Sequence, residues 1–120
     1  MIRLIDQRTG SVLVEDLIIL WTFLGRLRGF AFYKIPEPGT AMLFLNTRRI
    51  HTFGMHFPLD IYYFDISLKV LGKRLCVKPY TFPTSPKGSR HIMEIPTQET
   101  KRPISLKNGE QLSLVFGVRF

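Results

Sequence analysis

The sequence predicts a mostly β fold of the α+β class: a compact, barrel-like sheet of about seven or eight strands with one or two short helices. Three observations predict it. Ten Phe, four Tyr and one Trp among 120 residues favour strands over helices. The apolar runs are short and bounded by turn residues. Eight prolines and nine glycines are spread along the chain, so they punctuate one domain, residues 1–120, and mark no linker.

The first strand is "IRLID" (2–6), followed by the turn "QRTG" and a second strand "SVLVEDLIIL" (11–20). Thr9-Gly10 separates the two apolar runs, and their β-branched content suits strands. The period then changes. In "TFLGRLRGF" (22–30), Phe23, Leu27 and Phe30 stand at i, i+4 and i+7. Thr22 can cap this segment and Gly29 can end it, which predicts a helix of about two turns carrying Arg26 and Arg28. "KIPEPGT" (34–40) is a loop, because Pro36 and Pro38 leave no regular ladder. "AMLFLN" is a short buried strand. "LDIYYFDISLKVLGKRLCVKP" contains two strands joined near Ile66 to Leu68. "YTFPTSPKGS" (80–89) is a loop, "RHIMEIP" a strand and "TQETK" one helical turn. Asn108-Gly109 turns the chain into a last strand.

Seventeen Lys and Arg against nine Asp and Glu give a net charge of +8. Such a charge attracts anions, nucleic acid among them. The cations are dispersed along the chain, with no run of five like charges, and solubility alone accounts for the excess. Cys76 is the one cysteine, so no disulfide forms within the chain and a thiol-rich metal site is excluded. "MIRLID" carries charges at positions 3 and 6 and lacks the apolar core of a signal peptide. The longest apolar run, "LIILW", falls far short of the roughly 20 residues of a spanning helix. These features predict a soluble, cytoplasmic protein without a membrane span.

Chemistry-bearing residues concentrate in "IHTFGMHFPLDIYYFD" (50–65). On a strand, His51 and His56 face opposite sides and cannot easily share an ion, and no metalloprotease-type spacing exists. No metal and no cofactor are expected. His51 is the kind of histidine that hydrogen-bonds to backbone or carboxylate and orders a loop. Asp60 begins an apolar strand on the face of Tyr62 and Phe64, so its carboxylate lies at a rim or is buried and paired. Glu94 stands between Met93 and Ile95 on the face of Ile92. With Arg28 on the predicted helix, these carboxylates suggest a charged cluster. Its plain form is an internal salt bridge in which the guanidinium forks between both; its sharper form is an anion-binding or acid–base site. No serine lies in a nucleophile-elbow context, and "GRLRG" lacks the ending of a phosphate loop. Cys76, in "KRLCVKP", is expected to be a small core residue.

"TFLGRLRGF", "IHTFGMHFPLDIYYFD", "VKPYTF", "HIMEIP" and "NGEQLSL" occur in the order and at the spacing that resemble the family called domain of unknown function 192. The resemblance spans roughly residues 10–116. The Ile-His-Thr, the following methionine and the Pro-Leu-Asp are its specific part. It implies a compact, mostly β, barrel-like domain with a small helix and no established activity. The family positions fall on Arg28, Gly29, His51, Thr52, Met55, Pro58, Asp60 and Glu94. Two departures stand out. Thr47 replaces a common cysteine four residues before His51, so thiol chemistry beside that histidine is not expected, and Gln98 stands where a glycine is usual.

Three functional expectations follow. The first is a non-catalytic module that binds a small polar or anionic ligand or a protein partner. Its pocket would lie between the Arg28 helix, residues 51–58 and the Glu94 strand, and involve Arg28, His51, Thr52, Met55, Asp60 and Glu94. The second is a basic nucleic-acid-binding barrel using Tyr62, Tyr63, Tyr80 and Phe82 as aromatic platforms. The third is a hydrolase-like enzyme using His51 with Asp60 or Glu94 as acid and base.

Overall fold

A computed structural model describes residues 1–22, 29–30, 40–52, 54–97 and 105–117. Eight strands form in chain order: β1 (Ile2–Asp6), β2 (Val12–Val14), β3 (Leu17–Leu20), β4 (Ala41–Phe44), β5 (Leu59–Phe64), β6 (Val70–Val77), β7 (His91–Pro96) and β8 (Leu112–Phe116). The predicted helix at 22–30, with Arg28, falls largely outside the described residues. So do most of the 34–40 loop and of the "TQETK" turn.

The strands form two sheets and not one closed barrel. One has the order β2-β1-β8, the other β3-β4-β7-β5-β6. All described pairings are antiparallel except β3 with β4. The predicted single strand at 11–20 is interrupted at Glu15-Asp16, so β2 pairs in the small sheet and β3 in the large one. Two adjacent carboxylates have no apolar face to bury, and the chain changes sheets there.

β7 is the centre of the large sheet, and all six of its residues are buried. Both faces of the sheet are covered, which is why "HIMEIP" and "LDIYYF" read as nearly continuous apolar runs. On one face Leu43, Tyr62, Phe64, Met93 and Ile95 pack against Leu4, Leu106 and Leu112. On the other, Met42, Phe44, Ile61, Tyr63 and Ile92 lie under Phe30, Ile50, Met55 and Phe57. The 50–57 segment is therefore a lid on the second core. Its buried apolar residues point inward, and the Phe57 ring meets Phe30 edge-on with centroids 5.9 Å apart.

Candidate functional site

In the central block, Thr52 and Asp60 bond to segments distant in sequence. Thr52 is completely buried. Its hydroxyl donates to the Lys78 carbonyl (2.9 Å) and accepts the Thr81 N–H (2.7 Å). Its backbone N–H donates to the Thr81 carbonyl, and its carbonyl accepts the Tyr80 N–H. One threonine thus clamps residues 78–81 against the lid. Tyr80, at φ 63°, holds the left-handed turn that this clamp closes. Beside it the His51 ring meets the Phe82 ring edge-on, with centroids 6.2 Å apart. Met55 is buried in the second core.

Asp60 and Glu94 lie on opposite faces of the large sheet. Asp60 pairs in register with Ile95, and Glu94 with Ile61 and Met42. Arg28, the expected partner of both, lies outside the described residues. Asp60 accepts the Cys76 N–H and the Thr97 hydroxyl, each at 2.9 Å. Between Leu59↔Val77 and Ile61↔Arg74 the register slips by one residue, a bulge that frees a backbone donor on β6. Cys76 sits in that bulge at φ 57° and is exposed, not in the core. Asp60 is thus the cap of a bulge.

Glu94 is 1% exposed, and its Oε2 has no hydrogen-bond partner among the described residues. Desolvation pushes its pKa up to about 8, so at neutral pH the side chain is mostly a neutral acid. Gly29 lies over it at φ 46°. A Cβ there would stand 2.9 Å from Phe44 Cζ and 3.4 Å from Glu94 Oε2, so only glycine fits this approach.

His91 is a second pin. Its Nδ1 accepts the Asn46 N–H at 3.0 Å, which leaves Nε2 to carry the proton towards the Ile66 carbonyl, 3.4 Å away. Burial lowers its pKa and keeps the ring neutral. The ring ties the turn after β4 to the turn after β5. Of the four aromatics expected as platforms, Tyr62 and Tyr63 are buried, while Tyr80 and Phe82 are each 69% exposed.

The open feature lies beside this block. A cavity of about 960 Å³ runs between Arg48–Ile50, the turn at Asp65-Ile66 and the loop 82–90. Arg48, Arg49, Lys87 and Arg90 line it, and Asp65 is the one described carboxylate there. That carboxylate is committed: its Oδ1 accepts the Ser67 N–H, the Ser67 hydroxyl and the Lys69 N–H, each at 2.9 Å. These bonds hold its pKa below the usual value, against the opposing effect of desolvation. The Ser85 hydroxyl donates to the Arg48 carbonyl, joining one wall to the other. Sequence order hid this site, because its cations come as pairs 38 or more residues apart. The hint was that Thr52 stands next to one pair and "VKPYTF" leads into the other. Among the described residues, no three His, Cys, Asp or Glu side chains gather to hold a metal ion. No described helix is long and apolar enough to cross a membrane.

The profile of the domain of unknown function 192 family, described as an uncharacterised ACR, matches residues 5–114. The chain belongs to that family. No curated protein matches this DUF192 chain. Two solved structures share its fold. A protein of unknown function from Novosphingobium aromaticivorans superposes with a TM-score of 0.70 at 18% identity, over 93% of this chain and 82% of the other. A putative transcription regulator from Sinorhizobium meliloti gives a TM-score of 0.72, also at 18% identity, over 93% and 90%. At that identity the likeness is one of fold. DUF192 membership carries no established activity, so function has to be argued from the geometry.

Proposed function

We propose that this DUF192 domain is a non-catalytic binding module whose ligand is anionic and occupies the groove between Arg48–Ile50 and the loop 82–90. One observation carries the reading: four cationic side chains line one cavity in which the single described carboxylate is already spent on a turn. Unpaired like charges repel, so such a cluster costs stability unless counter-ions or a ligand occupy it. Three of the four cations are arginines, whose planar forks suit phosphate and carboxylate oxygens. At about 960 Å³ the cavity lies at the top of the range of roughly 300–1,000 Å³ seen for small-molecule sites.

In this reading the sequence block has a supporting role. Thr52 anchors the start of the loop that forms one wall, the His51–Phe82 contact continues it, and His91 fixes the turns beneath. Asp60 and Glu94 stabilise the sheet behind. Of the carboxylates that the acid–base alternative would pair with His51, Glu94 does not reach solvent and Asp60 is engaged with the Cys76 N–H and the Thr97 hydroxyl.

Thermal denaturation with and without pyrophosphate tests the proposal. A ligand at 100 times its Kd adds about 2.7 kcal/mol of stability. The melting temperature of the wild type should rise with pyrophosphate, and an Arg48→Gln/Arg90→Gln variant should lose that rise. An equal rise in both proteins, or none in either, would remove the groove as the site.

A further inference from the structure

A second cavity, of about 550 Å³, adjoins the first, and Pro86 lines both. Lys73, Arg74 and Lys107 line this second cavity, and no described carboxylate does. Resting on the anion-binding reading above, we propose that the two cavities form one continuous basic track and that its occupant is a linear phosphodiester chain, a single strand of nucleic acid.

The loop carrying Pro86 lies down on β6. A Cβ on Gly72 would stand 3.1 Å from Pro86 Cγ, so the proline ring rests on the glycine. Arg74 fastens the same loop, its Nε donating to the Thr84 carbonyl at 3.0 Å. The loop is thereby held on β6 between the cavities, with cations lining each. A small anion needs only one cluster; a repeating phosphate chain uses both.

Phe82 distinguishes the polymer. It lines the first cavity and is 69% exposed, a π face beside arginines, the pairing on which unstacked bases lie. An acidic peptide would satisfy the cations and leave that ring unused. A duplex keeps its bases stacked internally and is read by an element projecting into its groove, whereas this surface is concave. A single strand presents both phosphates and free base faces.

Fluorescence polarisation with labelled ten-residue oligothymidylate is the test, with pyrophosphate binding followed in parallel by calorimetry. The near pair of reversals is Arg48→Glu/Arg90→Glu, and the far pair is the exposed Lys73→Glu/Lys107→Glu. Each pair should weaken the oligonucleotide about tenfold or more and flatten its salt dependence, by roughly 0.7 in the log–log slope for each phosphate that is no longer neutralised. Pyrophosphate should respond to the near pair alone. Phe82→Ala, which leaves every charge in place, should weaken the oligonucleotide and spare pyrophosphate. If the far pair and Phe82→Ala both bind the strand as wild type does, the track is refuted while the local anion site stands. Equal competition by poly-glutamate, or preference for duplex, would overturn the choice of polymer. A wild type that binds no pyrophosphate would sink both readings.

Discussion

Glu94 is a carboxyl group held against its ordinary ionisation, and this has a measurable consequence. Its pKa in the fold is about 8 against an ordinary 4.5. The unfolded chain therefore releases this proton from about pH 4.5 upward while the folded chain keeps it. Stability from this residue is fully present below the unfolded value and is lost as pH rises towards 8. The slope is about 1.4 kcal/mol per pH unit, a total on the order of 4–5 kcal/mol, large against a typical 5–15 kcal/mol. Glu94→Gln removes the titration and keeps the shape. Urea melts at pH 5 and pH 8 should show wild type losing several kcal/mol more than the variant; parallel losses would mean the acid is ionised and paired. Asp60 behaves differently. It is half-buried and accepts two hydrogen bonds, so Asp60→Ala should cost about 1–3 kcal/mol by leaving the Cys76 N–H and the Thr97 hydroxyl unpaired. A chemical melt coincident with wild type would show the bulge to be held by other means.

At the scale of elements, two side chains join segments distant in sequence. Thr52 reaches 26 residues to Lys78 and 29 to Thr81. Thr52→Val keeps the volume and removes the hydroxyl, stranding the Thr81 N–H, so a loss of about 1–3 kcal/mol is expected in the same melts. Hydrogen exchange should quicken at 78–82 first, since that stretch loses its clamp; unchanged exchange there would contradict the role. His91 spans 45 residues to Asn46. Its pKa is lowered by burial from an ordinary 6.5, so the stability it contributes is present above that value and declines as pH falls through the lowered one. The deficit of a His91→Ala variant relative to wild type should be largest near neutrality and shrink below about pH 6. A deficit constant with pH would show that the ring is not held neutral.

The strands were legible because their signals are local. Alternation and turn residues located "IRLID", "AMLF", "LDIYYF" and "HIMEIP" almost to the residue, and the family motifs were visible in the central block. Register was not legible. Asp60 and Glu94 both looked like semi-buried carboxylates, but only the pairing of Glu94 with Ile61 shows that they occupy opposite faces. Cys76 looked like a core residue because nothing in "KRLCVKP" announces the bulge that turns it outward. Barrel closure was likewise out of reach, since it depends on which strands find edges and not on any one strand's pattern.

For the whole molecule, the dispersal of basic residues along the chain misled most. Arg48, Arg49, Lys87 and Arg90 are scattered in sequence and adjacent in space, because antiparallel β4 and β7 bring the segment after β4 and the loop before β7 to the same end of the sheet. The central claim is that the binding surface is this groove, while Thr52, Met55, Asp60 and Glu94 belong to the framework behind it. Amide chemical-shift mapping of the labelled protein during a pyrophosphate titration tests that most directly. The account predicts saturable shifts concentrated at residues 48–50, 65–66 and 84–90, with the amides of Ile92 to Ile95 unmoved. Shifts centred on residues 51–58 and on β7 around Glu94, with the groove silent, would contradict it.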